Sequence, residues 1–483
     1  MALADPVELL NTLRAHDGET EWFEFKKNSF KPEDFGEYIS ALANSAMLND
    51  KRHAFLVYGV DNKTKEIVGT NINLKNETKG GEVFENWLSR MLSPKINFSF
   101  ETTYIAGKKL EIVSIEPAYD RPVKFINVAY IRVGENKRHL DEFPEKERAL
   151  WALTSRQSFE LGIAESHLDQ DEISEMFHFQ KISEIYYPHV KQLPAAIEQM
   201  LADGLLYDDL QGGYDITNLM AILAAKNIND HKTIENKSPR VIVYKGRNKV
   251  EAEDDVTGQT GYAIAFPLLL KYITGKIMGK EIFVHGVRKR ETYYPEVAVR
   301  EFIANAIIHQ DLLEMGVRPT IEIYSDKIKI INAGKPFVEP ERIIDAPPRS
   351  RNERLASFMR RAGHCEERGS GIVRALQAIE RAGQSPPLFQ VVNNSYVVTM
   401  FKTTEFGSMS RDDRIRACYQ HSVLRHLDTN PMNNSSLRAR MNLKDSQSSQ
   451  VSNVIKDALE AGLIKPLEPN QGYRIAKYLP YWA

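Results

Sequence analysis

An otherwise apolar stretch carries three polar side chains spaced four residues apart, Glu301, Asn305 and His309. Four residues advance a helix by roughly 400°, so the three side chains form one slowly drifting polar stripe. Asparagine is unfavourable inside a helix because its amide competes for backbone hydrogen bonds, so Asn305 requires a partner. One interpretation is a metal ion that joins Asn305 to phosphate oxygens, with Glu301 placed to activate water. The other is a hydrogen-bonded contact between crossed helices, since buried polar groups are normally paired.

Two glycine-containing segments follow. A strand ends in Asn332-Ala-Gly334, and a Gly-Ser-Gly sequence formed by Gly369, Ser370 and Gly371 precedes a helix. Backbone N–H groups at such a helix start can close on a phosphate, assisted by the helix dipole. Each segment by itself is weak evidence for a nucleotide.

An arginine-dense run lies between these two segments. Such a run is by default a solvated loop. Pro347 and Pro348, however, make a stiff turn beside Arg349 and Arg351, and the planar guanidinium group suits phosphate. The run is therefore either a surface loop or a contact for a γ-phosphate or a nucleic-acid backbone. Its members are Arg342, Arg349, Arg351, Arg354, Arg360 and Arg361.

The segment 409–483 has the order of helices and strands typical of a winged helix. Gln447 and Ser448 stand at the start of its third predicted helix, and short polar groups are typical where a recognition helix meets backbone and base edges. Arg438 and Arg440 would supply phosphate contacts. Winged helices also serve as dimer contacts, so both interpretations stay open.

The composition is that of an ordinary globular protein, with 42% hydrophobic and 27% charged residues in 483. A net charge of −2 gives no global basic field, so any nucleic-acid surface must be local. Cys365 and Cys418 fit a reducing cytosol. The first residues lack a secretion signal, and the apolar run 262–270 is broken by Pro267. We expect a cytoplasmic protein of two to four domains with no membrane segment.

The elements before residue 145 predict a compact α+β unit. Phe23 and Phe25 alternate with polar residues as in a half-buried strand, and a helix that begins at Pro32 follows. Residues 53–60 form a nearly continuous apolar run, typical of a strand buried on both faces. That strand ends at Asp61, so the unit carries carboxylates at strand ends.

Four parts of this unit together resemble the Schlafen-type AlbA domain. None is specific alone, but they occur in order and at sensible spacing. They are Glu24-Phe-Lys26, Tyr58-Gly-Val-Asp61 with Ile67-Val-Gly69, Arg121-Pro-Val123 and Tyr130-Ile-Arg-Val-Gly134.

Nuclease members of that family carry a carboxylate triad, and Glu19, Glu24 and Asp61 stand at matching positions. By this resemblance the three would be catalytic ligands of Mg²⁺ or Mn²⁺, which activates water and neutralises charge on the phosphate. Lys26, on the same strand face as Glu24, would touch the scissile phosphate. Alternatively, Glu19 and Glu24 are surface acids and the domain only binds nucleic acid. Strand residues five apart lie on opposite faces unless Glu19 precedes the strand or a bulge intervenes.

Residues 290–385 resemble a divergent GHKL ATP-binding fold. The resemblance rests on the order of a Glu-x-x-x-Asn helix, a strand ending in Asn-x-Gly and a Gly-x-Gly helix. By it, Asn305 would coordinate Mg²⁺ and Glu301 would act as general base. The residues that would line the nucleotide are Asn332, Gly334, Gly369, Ser370 and Gly371.

The chain departs from the GHKL pattern in two places. Asn332 stands where the family has an aspartate that reads the adenine amino group, and the glycine-rich lid is shortened. An amide still exchanges hydrogen bonds with adenine, but it is not a fixed acceptor. The identity of the nucleotide and its hydrolysis therefore stay open.

The chain as a whole resembles bacterial or archaeal proteins that combine a Schlafen AlbA domain with a divergent ATPase region. We expect an α+β multidomain fold. Its predicted parts are an AlbA-type head at residues 1–145, a helical linker with a winged-helix-like adaptor at 146–225, a GHKL-like α/β sandwich at 226–405 and a C-terminal winged helix at 406–483.

The first functional hypothesis is an ATP-regulated, Mg²⁺- or Mn²⁺-dependent nuclease acting on RNA or single-stranded DNA. It would work as a homo-oligomer, at least a dimer, and some members of the group defend against phage. The alternative is a non-enzymatic transcriptional regulator that binds DNA, with ATP as ligand. A scaffold that has lost its nucleotide is a third hypothesis, because of Asn332.

Overall fold

A computed structural model describes residues 5–16, 20–119, 121–154, 159–190, 192–284, 287–346, 349–365, 370–469, 472 and 476–483. The chain divides into two compact units, one formed by Met1–Ile173 and Ile197–Thr217 and the other by Ser174–Ala196 and Asn218–Ala483. The protein is a mixed α+β multidomain chain with several sheets, as the sequence predicts. Among the described residues, no helix combines the length and hydropathy that crossing a membrane requires.

The first unit is built around a four-stranded sheet in the order β1-β2-β7-β6, in which only β1 and β2 run parallel. A second four-stranded sheet has the order β10-β9-β8-β5. The elements are α1 (Pro6–Ala15), β1 (Phe23–Lys26), α2 (Pro32–Leu48), β2 (Ala54–Tyr58), β3 (Thr78–Lys79), β4 (Glu82–Val83), α3 (Phe84–Met91), β5 (Leu92–Ser93), β6 (Phe98–Ile105), β7 (Lys108–Ile115), β8 (Lys124–Phe125), β9 (Val128–Val133), β10 (Asn136–His139) and α4 (Pro144–Thr154).

Helix α2 and strand β2 follow the sequence prediction. The helix starts at Pro32 and buries Phe35, Ile39 and Leu42, while β2 is buried along its whole length. Strand β1 forms where the sequence predicts it, but it is buried on both faces and not half-buried as the alternation predicts. Its polar residue Glu24 is buried because it pairs with cationic side chains inside the unit, which alternation of residue types cannot reveal.

A three-stranded antiparallel sheet in the order β11-β13-β12 also belongs to the first unit. The sequence of the α6 segment has mixed charge and predicts no helix. The elements of residues 163–224 are β11 (Ile163–Leu168), α5 (Gln170–Met176), α6 (Phe179–Tyr186), α7 (Leu193–Ala202), β12 (Leu206–Asp208), β13 (Tyr214–Thr217) and α8 (Asn218–Ala224). Of these, α6 and α8 belong to the second unit.

The second unit contains a six-stranded sheet in the order β15-β14-β18-β19-β21-β20. Helix α10 packs against both α12 and β19. The elements are β14 (Arg240–Tyr244), β15 (Ala252–Thr257), α9 (Tyr262–Ile277), β16 (Met278–Val284), β17 (Val287–Thr292), α10 (Glu296–Ile308), β18 (Thr320–Ile323), β19 (Lys327–Ala333), α11 (Glu353–Arg361), α12 (Gly371–Arg381), β20 (Leu388–Val392) and β21 (Ser395–Phe401).

The arginine-dense run is not one continuous loop. Its second half forms α11, which buries Leu355, Phe358 and Met359 and places Arg360 and Arg361 in its last turn. The apolar face of α11 therefore organises the arginines. The turn predicted at Pro347 and Pro348 lies outside the described residues.

The remaining elements form a helix–strand–helix–helix–strand–strand succession with a three-stranded sheet in the order β22-β24-β23. Helix α13 packs against α15 and β24. The elements are α13 (Arg411–Leu427), β22 (Met432–Asn433), α14 (Asn434–Arg440), α15 (Ser448–Glu460), β23 (Ile464–Pro466) and β24 (Lys477–Pro480).

Candidate functional site

A cavity of about 280 Å³ in the second unit is lined by residues of α10, α11, α12 and strands β19 to β21. This volume is close to the lower end of the range for ligand pockets, roughly 300–1,000 Å³. The structure brings several predicted site residues together around this cavity. They are Glu301, Asn305, Asn332, Gly334 and Gly371.

Helix α10 presents its polar stripe to the cavity. Glu301, Asn305 and His309 all line it, while Ile303 and Ile307 are buried in the core. Burial of the apolar residues fixes the orientation of α10 about its own axis. Because the polar side chains are spaced four residues apart, they then lie on the face of the helix that is turned to the cavity. The stripe therefore lines a cavity.

Glycine at the start of α12 makes close packing against α10 possible. A Cβ atom added at Gly371 would overlap the Glu301 carboxylate. Ser370 is the N-cap residue, and its side chain makes no capping hydrogen bond. Gly369 lies outside the described residues. The Glu301 carboxylate thus lies directly beside the N-terminus of α12, where backbone N–H groups favour negative charge.

Asn332 and Tyr396 are paired across the antiparallel strands β19 and β21, and both line the cavity. Nδ2 of Asn332 donates a hydrogen bond to the carbonyl oxygen of Ala333 at 3.1 Å. The Tyr396 hydroxyl is buried and has no hydrogen-bond partner among the described residues. Burial also raises the pKa of Tyr396, so the hydroxyl stays protonated at neutral pH.

Gly334 follows β19 with a φ of +90°, a conformation that favours glycine. A Cβ atom there would lie 2.7 Å from Cβ of Asp311 and 2.8 Å from Nη1 of Arg351. Asp311 and Arg351 form an ion pair, and Nη2 of Arg351 donates to the carbonyl oxygen of Lys335 at 2.7 Å. Glycine at this position therefore leaves room for the arginine beside the cavity.

Among the described residues, four cationic side chains line the cavity, Lys335, Arg349, Arg351 and Arg360. The guanidinium groups of Arg349 and Arg351 lie 4.5 and 4.9 Å from the ring centre of Phe337. An amide and a carboxylate oxygen with several cations fit a Mg²⁺ or Mn²⁺ polyphosphate, because these ions take oxygen ligands and Mg²⁺ usually shares them with phosphates. The side chains present are therefore compatible with a metal–nucleotide ligand.

In the first unit, Glu24 is 3% exposed and is held by two cations. One carboxylate oxygen pairs with Lys26 at 2.6 Å and the other with Arg132, which is fully buried. Lys26 also donates to the Tyr38 hydroxyl at 2.9 Å. Burial lowers the pKa of Lys26, but its hydrogen bonds to Glu24 and Tyr38 outweigh this and raise the pKa. Glu24 is therefore part of an internal charge cluster.

Asp61 has different partners from those of Glu24. Its carboxylate pairs with Lys27 and accepts hydrogen bonds from the backbone N–H groups of Lys63 (2.8 Å) and Thr64 (2.9 Å). Lys27 and these N–H groups hold the pKa of Asp61 well below its usual range. Glu19 lies outside the described residues, and within the described part no three His, Cys, Asp or Glu side chains are grouped as a metal site.

The residues predicted to contact nucleic acid differ in exposure. Arg438 pairs with Asp445 at 2.7 Å, while Ser448 is exposed at the start of α15. Oε1 of Gln447 accepts a hydrogen bond from the backbone of Lys444 at 2.9 Å. The side chain of Arg440 is only 6% exposed and pairs with Glu380 at 3.2 Å. This placement argues against a phosphate contact by Arg440, because its guanidinium group serves as an internal anchor.

Sequence reasoning does not identify Arg132, Asp311 or Tyr396. Arg132 belongs to the Tyr130–Gly134 segment, but the sequence gives no sign of its complete burial. Tyr396 could have been found from the strand register, since it faces Asn332 across the ladder. Predicting that register requires pairing two strands far apart in the sequence.

Comparisons with known proteins agree with two of these regions. The SLFN_AlbA_2 family (Schlafen, AlbA_2) matches residues 19–141. The HATPase_c_4 family, described as "Putative ATP-dependent DNA helicase recG C-terminal", matches residues 316–400. The second match includes Asn332, Gly334 and Gly371 but begins after α10. Among curated proteins, none matches the chain.

Two solved structures are similar over different lengths. The DIP2311 protein from Corynebacterium diphtheriae is 16% identical, with 98% of this chain and 96% of that chain covered and a TM-score of 0.42. The N-terminal domain of a "Putative ATP-dependent DNA Helicase RecG-related Protein" from Nitrosomonas europaea is 21% identical. It covers 28% of this chain and 93% of its own, with a TM-score of 0.20. The family matches place a Schlafen AlbA_2 match at residues 19–141 and a HATPase_c_4 match at residues 316–400.

Proposed function

We propose that the protein binds ATP with Mg²⁺ or Mn²⁺ in the cavity of the second unit, and that the nucleotide regulates its binding to RNA or DNA. The observation that carries this proposal is the convergence of Glu301, Asn305, Asn332, Gly334 and Gly371 on one cavity that is also lined by cationic side chains. The ATP-dependent description of the matching HATPase_c_4 family supports the choice of nucleotide.

Each group at the cavity has a defined part in this proposal. The Asn305 amide oxygen would coordinate the metal ion, and Glu301, one helical turn earlier, would orient or deprotonate water. Arg349, Arg351 and Lys335 would offset phosphate charge together with the N-terminus of α12. The bound ion would supply charge neutralisation on the phosphates.

Nucleic acid is the proposed partner because the matched HATPase_c_4 family is described as the C-terminal part of a putative ATP-dependent DNA helicase. In the first unit, Lys26 and Lys137 each lie 4.4 Å from the ring centre of Tyr38, and a nucleic-acid strand would compete there with the carboxylates that pair with the two lysines. The element order of residues 411–480 supports a winged helix, whose α15 would present Ser448 and its exposed neighbours to a duplex.

Binding without cleavage is the version that the geometry supports best. A metal ion at Glu24 would have to displace Lys26 or the buried Arg132. A nuclease is the second candidate, favoured by the parallel pairing of β1 with β2, which brings Lys26 beside Tyr58, three residues before Asp61.

Anisotropy titrations of labelled RNA and single- and double-stranded DNA oligonucleotides test the proposal. We expect binding that weakens steeply with salt, because phosphate contacts release counterions, and an affinity that changes when ATP and Mg²⁺ are added. No binding at low salt, with or without ATP, would overturn the proposal. Cleavage in Mn²⁺ that Glu24→Ala and Asp61→Asn abolish, while binding persists, would establish the nuclease instead.

A further inference from the structure

The second unit contains another cavity, which we call the basic groove. It has a volume of about 740 Å³ and is lined by residues of α5, α6 and α7, by the segment that joins α6 to α7, and by Lys226 after α8. All of these residues belong to the second unit. Its volume lies within the range of ligand sites, roughly 300–1,000 Å³. The basic groove therefore has room for more than a single small ion.

An antiparallel bridge between Phe177 and Ala225 positions two cationic side chains of the basic groove. Backbone hydrogen bonds flank this bridge, one donated by the N–H group of His178 at 2.8 Å and one by that of Lys226 at 2.9 Å. Phe177 and Ala225 are buried, and successive side chains of an extended segment point to opposite sides. The side chains of His178 and Lys226 are therefore turned to the side away from the core, where both line the basic groove.

Lys181 adds a third cation in the first turn of α6. It follows His178, the N-cap residue of that helix, by three residues, and residues at this spacing lie on one side of a helix. Lys181 also lines the basic groove. Burial lowers the pKa of His178, and the positive charges of Lys181 and Lys226 lower it further. The three groups are therefore close enough to repel one another.

Carboxylates of the protein do not balance this charge. Lys181 and Lys226 are exposed, and neither forms an ion pair with a described residue. Among the described residues, the carboxylate that lines the basic groove is that of Glu184, which accepts a hydrogen bond from Nε2 of Gln180 at 3.1 Å. The surplus of positive charge favours an anionic ligand.

We propose that the basic groove binds the phosphodiester backbone of a nucleic acid. Lys181 and Lys226 pair with phosphate oxygens, and the His178 imidazole donates a hydrogen bond to the same backbone. Contacts of this kind supply affinity and position the strand, but they do not read its sequence. This inference rests on the proposed nucleic-acid binding and locates part of it in the second unit.

The double variant Lys181→Gln/Lys226→Gln tests the proposal, because it removes both charges and keeps polar side chains. Anisotropy titrations with labelled oligonucleotides between about 50 and 200 mM salt give the slope of log affinity against log salt concentration. For a duplex, the slope should be smaller in magnitude than that of wild type by about 1.8, since each phosphate contact contributes about 0.9. For a single strand the decrease should be about 1.4, since each contact contributes about 0.7. The decrease should be the same for unrelated sequences.

Lys245→Gln/Lys276→Gln is the matched control, because it removes the same charge from the second unit. Lys245 pairs with Glu251 and Lys276 pairs with Asp254 at 2.7 Å, and neither lysine lines the basic groove. The control should keep the salt slope of wild type. Both double variants should also keep the thermal midpoint of wild type, since the substituted side chains are exposed.

The possible outcomes separate this inference from the proposed function. If the Lys181/Lys226 variant keeps the salt slope of wild type, or the control loses as much, the basic groove is not a nucleic-acid site while the proposed function stands. In calorimetric titrations with Mg²⁺ the Lys181/Lys226 variant should bind ATP like wild type. Weaker ATP binding with unchanged nucleic-acid binding would assign the basic groove to a nucleotide and overturn the inference. If wild type binds no nucleic acid at low salt, the proposed function fails and this inference fails with it.

Discussion

At the scale of single residues, the candidate site depends on two glycines, whose lack of a side chain leaves space for neighbouring charged groups. The Glu301 carboxylate occupies the position that a Cβ atom at Gly371 would take, and Arg351 and Asp311 lie close to Gly334 in the same way. Both glycines therefore determine how close charged groups come to the cavity.

Gly371→Ala should disturb the cavity more than it disturbs the helix. The added methyl group would push Glu301 away, and overpacking of this kind costs typically about 1–3 kcal/mol. We expect a lower thermal midpoint and weaker ATP binding, measured by differential scanning fluorimetry with and without Mg²⁺ and ATP.

Gly275→Ala is the matched control, because Gly275 also lies in a helix and a Cβ atom there would meet nothing within 4 Å. This substitution should leave ATP binding intact and change stability little or favourably, since alanine is the better helix former. Equal behaviour of the two variants would refute the packing argument.

The sequence predicts the residues that are chemically distinctive within a short segment. The sequence makes some site residues recognisable. Glu301 and Asn305 are a carboxylate and an amide within an otherwise apolar helix, and Gly371 stands at the start of a second helix. Tyr396 and Arg132 do not stand out, because their roles come from strand pairing and complete burial, which depend on residues distant in the sequence.

At the scale of elements, α12 connects the cavity to the last helices of the chain. Its first residue, Gly371, lines the cavity, and Glu380 in its last turn pairs with His421 of α13 at 3.1 Å and with Arg440 of α14 at 3.2 Å. His421 also lies within hydrogen-bond distance of the Ser436 hydroxyl, 3.1 Å away. The C-terminal end of α12 therefore contacts α13 and α14 through the Glu380 carboxylate and the buried side chains of His421 and Arg440.

Glu380→Ala should loosen that attachment. The substitution leaves the buried Arg440 guanidinium without its carboxylate, and loss of a hydrogen bond to a charged group costs about 1.5–3 kcal/mol. Hydrogen exchange followed by mass spectrometry should show faster exchange in residues 411–440.

Glu460→Ala is the control for this experiment. Glu460 forms an exposed pair with Arg411 at 3.8 Å, with side-chain exposures of 56% and 63%, and such pairs contribute about 0–1 kcal/mol. Exchange in 411–440 should match wild type. Unchanged exchange in Glu380→Ala would show that the buried pair does not hold α13 and α14.

Elements with a strong local pattern are predictable from the sequence, and others are not. The apolar spacing of α2 and α10 predicts helices where the structure has them, and the strand predicted to end in Asn332-Ala-Gly334 is β19. In α11 the many arginines make the apolar face of the helix difficult to recognise from the sequence. In α6 the mixed charge gives no clear helical pattern, although the segment is a helix. In both cases tertiary packing, more than local propensity, stabilises the helix.

At the scale of the whole molecule, one chain combines a match to the Schlafen AlbA_2 family at residues 19–141 with a match to the HATPase_c_4 family at residues 316–400. Domain boundaries at residues 145, 225 and 405, the homodimer and a role in phage defence stay predictions. The claim on which the rest depends is that the cavity of the second unit takes a metal–nucleotide complex, because regulation of nucleic-acid binding by the nucleotide requires it.

Calorimetric titration of ATP into wild type and Asn305→Ala tests that claim most directly, with Asn97→Ala of the first unit as the control for the same chemical change. We predict that wild type and Asn97→Ala bind ATP in the presence of Mg²⁺, and that Asn305→Ala binds at least about tenfold more weakly, roughly 1.4 kcal/mol. Replacing Mg²⁺ by EDTA should weaken binding to wild type and remove most of the difference between wild type and Asn305→Ala. Equal affinity of wild type and Asn305→Ala for ATP in Mg²⁺, or no binding by wild type, would contradict the account.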